Sequence, residues 1–225
     1  MKNSTVSGRR QFLKASAMIA VGGPAMMTAA AAPMAGGRAF GGAMAPMAEE
    51  PNVIGPREGY APQIGTLVSM MGWLRPQVVN SVKKLSVEQL DWLLDDKANT
   101  IGSLLYHLAA TDAFYHEHTF KPVEWGKWDA SVEKKFGVAM ELGEGARKII
   151  KGNNVDFYLD LLKETRESTL AEFRKRDDKW FMEADPKWFW GPTNNYCKWF
   201  HVCEHESHHL GQINFLKSRL PAAKS

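Results

Sequence analysis

Four long stretches of this 225-residue chain repeat their apolar residues at three- and four-residue intervals, and none alternates with period two. Such a chain buries its hydrophobic surface most economically by packing helix on helix. The first stretch, "APQIGTLVSMMGWLRPQVVNSVKKL", carries Ile64, Leu67, Val68, Met71, Leu74, Val78 and Leu85 at helical spacing. Pro76 falls inside it and is expected to kink or break the helix. Ser86 then caps a short piece, "SVEQLDWLL", with Glu88 or Gln89 in its first turn. Thr100 opens the second stretch, "TIGSLLYHLAATDAFYHEHTF", whose inner stripe reads Ile101, Leu104, His107 or Leu108, Thr111, and Phe114 or Tyr115. In the third, "VDFYLDLLKETRESTLAEFRKR", one face holds Val155, Tyr158 or Leu159, Leu162, Thr165, Thr169 or Leu170, and Phe173. The opposite face is charged, as on a solvated bundle helix. Thr193 or Asn194 can cap the fourth, "NNYCKWFHVCEHESHHLGQINFLKSRL", which stops before Pro221.

Between the second and third stretches, residues 121–154 read as irregular, with room for a short helix in "VAMELGEGARKII". Pro186, Gly191 and Pro192 break up an aromatic loop before the fourth. The expected architecture is all-α: a four-helix bundle over residues 61–221, with an irregular insertion between the second and third long helices.

The fourth stretch contains "CEHESHHLGQ", in which His205, Glu206 and His209 spell H-E-x-x-H. Side chains four apart on a helix stack on one face. The inward stripe there runs Val202, His205, His209, Ile213, Leu216, so two imidazoles sit among core residues. Buried neutral imidazoles need partners, and a divalent metal ion satisfies both. His107, beside Leu104 and Thr111 on the second helix, is the best third ligand. Three histidines converging inside a bundle make an open site, with room for water or substrate. Glu206, His208 and Gln212 stand near enough to orient a ligand ring.

Two other metal chemistries fail on spacing. H-E-x-x-H proteases draw a third ligand from downstream, but the sixteen residues after His209 contain no Asp, Glu or His. A di-iron carboxylate site needs a second E-x-x-H, and only Glu206 with His209 supplies that spacing.

The two ends and the composition add boundaries. "SGRRQFLK", with Arg9 and Arg10, resembles a twin-arginine export signal. The Ala/Gly-rich run after it is too weakly apolar for a stable membrane span. Residues 1–48 are therefore expected to be a signal and small-residue segment, and 49–60 an extended lead-in, placing the mature chain in the periplasm or otherwise outside the cytoplasm. Those 48 residues hold five of the 28 basic residues and no acid, leaving 23 basic against 25 acidic in the remainder. A domain near neutrality has no electrostatic footprint for nucleic acid. Cys197 and Cys203, six apart on one helix, point to different faces and are too distant for a disulfide.

The segment "HVCEHESHHLGQINFLKSRLP" resembles the closing helix of the DinB superfamily, with His205, His209, Gly211 and Gln212 at the hallmark positions. "TIGSLLYHLAATDAFY" is similar to the family's second helix and puts His107 at its first metal histidine. The resemblance covers most of residues 60–221. It implies a four-helix bundle holding zinc, nickel or a similar divalent ion on three histidines, often as a homodimer. For Gly211 it implies close helix packing. Some members are thiol-dependent transferases or isomerases.

The functional expectation is an exported divalent-metal protein acting on a small molecule, of hydrolase or transferase type. The alternatives are a non-catalytic metal binder and a dimeric interaction module. A closed site, completed by Glu206 or Tyr115, favours a structural ion; an open one favours catalysis.

Overall fold

The computed structural model describes residues 52–121 and 123–221; Arg9, Arg10 and the expected signal lie outside them. Four long helices dominate: α1 (Pro62–Val82), α3 (Ile101–Phe120), α6 (Val155–Phe173) and α8 (Asn195–Lys217). Shorter ones are α2 (Val87–Leu90), α4 (Ala130–Glu141), α5 (Gly143–Ile149) and α7 (Asp178–Met182). The fold is all-α but for an antiparallel ladder, β1 (Ala184–Asp185) with β2 (Thr193–Asn194).

Local chemistry sets the helix starts. Thr100 accepts from Ser103 N–H, Asn154 from Phe157 N–H and Asn194 from Cys197 N–H, each satisfying an otherwise unpaired first-turn donor. Ser86 and Gln89 form a reciprocal capping box on α2. Pro76 does not break α1. The carbonyl it would leave unpaired belongs to Gly72, four residues back, and both residues are exposed, so water can serve that oxygen.

Contacts fix the direction of each helix. Arg75–Glu206 and Ser81–Asn214 advance together, so α1 and α8 run parallel. Tyr106–Phe157 and Phe120–Phe173 make α3 parallel to α6. His107–His205 and Tyr115–Trp199 oppose α3 to α8. Because α3 and α6 are parallel, the chain must travel back along α3, about 30 Å for a 20-residue helix, before α6 begins. Residues 121–154 make that return, and they are more ordered than expected. Asp129 caps α4, which buries Phe136 and Ala139 against α3. A turn with φ of 52° at Leu142 and 70° at Gly143 starts α5. The short helix allowed in "VAMELGEGARKII" is α5, whereas α4 was not expected.

The interior divides into two apolar clusters. One gathers Val78, Val82, Leu104, Leu105, Leu108, Leu162, Ile213 and Leu216. The other holds Ile64, Leu67, Met71, Phe114, Phe173, Phe181, Trp199 and Val202. Trp188 and Trp199 are buried anchors of this second cluster, whereas Phe189 and Trp190 are exposed. Between the two clusters the buried residues of α3, α6 and α8 are polar: Thr111 and Asp112, then Thr165, Arg166 and Thr169, then Glu206 and His209.

Candidate metal centre

The polar layer begins with three histidines. His107 and His209 are buried and His205 is partly so. His107 Nε2 lies 2.9 Å from His205 Nε2, and His209 Nε2 lies 3.0 Å from the same atom. Two antiparallel helices bring them together: α8 supplies a pair one turn apart, and α3 places His107 opposite.

Their hydrogen bonds dictate tautomers. His107 Nδ1 donates to the Ala139 carbonyl at 2.9 Å, and His209 Nδ1 donates to Gln212 Oε1 at 2.8 Å. Both Nε2 atoms therefore carry lone pairs, and both point at His205 Nε2. One hydrogen there can satisfy only one of them. Burial pushes the His107 imidazolium down to about 3 and His205 to about 2, each reinforced by the neighbouring rings, and burial lowers His209 too. Extra protons cannot repair the mismatch near neutral pH; a cation can. Tetrahedral zinc–nitrogen bonds of about 2.0–2.1 Å put ligand nitrogens about 3.3 Å apart, a few tenths of an ångström from this spacing. The trio can hold a divalent ion, and among the described residues no fourth His, Cys, Asp or Glu joins it. The oriented Nδ1–H groups are the usual outer support of metal-bound imidazoles.

Glu206, the glutamate of H-E-x-x-H, faces elsewhere. Its carboxylate accepts from Arg75 Nε at 2.6 Å and from Arg166 Nη2 at 2.8 Å. Asp112 accepts from Arg75 Nη2 and Arg166 Nε, both at 3.1 Å. Each long helix thus contributes one charge to a neutral tetrad in the bundle interior, with both carboxylates at most 2% exposed. Burial alone would raise the Glu206 carboxyl, but the two guanidiniums hold it well below the ordinary range. The sequence reading put Glu206 beside the histidines and singled out none of Arg75, Asp112 and Arg166. The available signal was positional: Arg75, Asp112, Arg166 and Glu206 each interrupt an apolar stripe, and their charges cancel.

Of the other candidates, Gln212 touches a histidine, as above. His208 is exposed and pairs with Glu204 at 3.2 Å, and Glu204 also accepts from His201 Nδ1 at 2.9 Å. Gly211 is exposed, and a Cβ there would meet nothing within 4 Å, so close packing is not its role. Cys197 and Cys203 are free.

The DinB superfamily sequence profile matches residues 72–213, most of the bundle. The chain belongs to the DinB superfamily. The DinB match begins inside α1 and ends inside α8, taking in every residue of the trio and the tetrad. A conserved protein from Enterococcus faecalis, known from a crystal structure, has the same fold: TM-score 0.50, 11% identity, covering 67% of this chain and 92% of that one. No curated protein matches.

Proposed function

We propose that this DinB-superfamily chain is an exported divalent-metal protein whose three-histidine centre is catalytic, of hydrolase or transferase type, with a small-molecule substrate. One observation carries the reading: the Nε2 atoms of His107 and His209 both lie within 3.0 Å of His205 Nε2, and among the described residues no fourth His, Cys, Asp or Glu closes the group. A zinc, nickel or similar ion held there supplies a Lewis acid that polarises a carbonyl or acidifies water. The chain's own part is to fix ring orientation through Ala139 and Gln212 and to keep the nitrogens unprotonated by burial. Glu206, held by two arginines, is not free to act as the base of a protease.

Metal quantitation on protein matured through its export route tests the ligand set. Wild type should carry about one equivalent and His209→Ala almost none. Unchanged content in the variant rejects the site. Turnover of a panel of esters, amides and thiol acceptors by the loaded chain, absent from His209→Ala, separates catalysis from metal storage. Export rests on Arg9 and Arg10: replacing both with lysine should leave the precursor in the cytoplasm. Self-association as a homodimer belongs to the same reading and is checked by sedimentation.

A further inference from the structure

His205 is the member of the trio that reaches solvent, and an aromatic wall stands beside it. One turn back along α8 lies His201, its ring 5.7 Å from that of His205 and its side chain 31% exposed. Trp190 meets His201 edge to face at 5.0 Å and is 42% exposed. A chain of ring contacts therefore runs from the surface to the three histidines.

The segment between β1 and β2 holds Trp190 in place. Trp188 is buried in the second apolar cluster, and Phe189 stacks on Trp125 at 4.6 Å with planes 15° apart. Trp190 follows these two anchors and joins neither cluster. A single exposed aromatic is ordinary. What sets this one apart is a pair of buried donors beside it without partners. Tyr115 is 3% exposed with its ring 5.9 Å from His201, and among the described residues its hydroxyl makes no hydrogen bond. Trp188, its ring 6.1 Å from Tyr115, likewise leaves Nε1 unpaired. Buried donors left unmade are costly, and a bound molecule can supply their acceptor. His201 adds an acceptor, because Nδ1 donates to Glu204 Oε2 at 2.9 Å and Nε2 keeps its lone pair. Aromatic faces with a few convergent polar atoms are the usual lining of a small-molecule site.

We infer that this wall selects the substrate: the small molecule taken by the metal centre carries an aromatic ring, which packs on Trp190 and His201 while its reacting oxygen atoms face the three histidines. The inference rests on the catalytic reading of that centre. It makes Trp190 a specificity-determining residue with no part in the chemistry.

Calorimetric titration of the zinc-loaded full chain with benzohydroxamate and acetohydroxamate tests it. Both chelate a metal through the same pair of oxygens, and only the first carries a ring. Benzohydroxamate should bind wild type about tenfold tighter. Trp190→Ala should cut that ratio to about twofold, with acetohydroxamate affinity and zinc content unchanged. Trp190→Phe should keep most of the preference, and Trp73→Ala, which removes a similarly exposed indole from α1, should leave it intact. Equal affinity for the two hydroxamates, a ratio indifferent to Trp190→Ala, or a loss shared by both ligands overturns the proposal. Binding of neither hydroxamate would remove the metal reading and this proposal with it; acetohydroxamate, which needs the ion but not the wall, tells the two failures apart.

Discussion

Replacing Glu206 with glutamine separates two readings of H-E-x-x-H. In the tetrad Glu206 neutralises part of Arg75 and Arg166, whose side chains are 13% and 9% exposed. Glu206→Gln keeps the shape and one acceptor oxygen but leaves two guanidiniums facing Asp112 alone. Removing one partner from a buried charge network costs about 3–5 kcal/mol. For a domain of this size that lowers Tm by about 6–20 °C, at 2–4 °C per kcal/mol. Urea unfolding of the metal-free protein measures the loss, and zinc titration of the folded variant should show affinity within about threefold of wild type, because Glu206 touches no histidine. If Glu206 were instead a metal-site base or ligand, stability would hold while metal affinity or activity fell. An unchanged midpoint would refute the tetrad account.

Gln212→Leu removes the acceptor that orients His209, and zinc affinity in a chelator competition should fall about 10–100-fold with little change in stability. The metal-free chain should weaken in acid. His107 and His205 are pushed down to about 3 and 2, below an unfolded value of 6.5, so the unfolded state binds more protons between those limits. Stability is full above pH 6.5 and falls as pH drops, by up to about 1.4 kcal/mol per unit for each ring, with Glu206 adding a loss in the same direction below its ordinary carboxylate range. Urea midpoints from pH 7.5 to 5 should show this slope, and a flat profile would count against neutral buried rings. Gly102→Ala should cost about 1–3 kcal/mol, because the new Cβ would lie 2.7 Å from the hydroxyl of the fully buried Tyr158; unchanged thermal stability would show that the ring yields freely.

The long helices and the trio were legible because periodicity reports which face is buried, and His107, His205 and His209 occupy that face alongside Leu104, Val202 and Ile213. The starts at Ser86 and Thr100 were equally readable, since capping side chains act within three residues, and of the two candidates Thr193 and Asn194 it is Asn194 that caps. The tetrad was not. Arg166 sits among Lys163, Glu164 and Glu167 on its helix, and only three other helices, assembled in one register, reveal it as interior. Of the crossover helices, α5 was allowed for in "VAMELGEGARKII", but α4 was obscured by Gly137, whose low helix propensity is overridden by packing of Phe136 and Ala139 on α3. Gly211 shows the opposite limit: the family resemblance implied tight packing there, but the glycine is exposed and an added Cβ would meet nothing within 4 Å.

X-ray absorption at the zinc edge of the loaded protein tests the central claim most directly. A first shell of three nitrogen scatterers at about 2.0–2.1 Å, with imidazole outer-shell signals and the remainder light oxygen, is the result three convergent histidines require. A sulfur-containing shell, or one of oxygens alone, would place the ion elsewhere and contradict it.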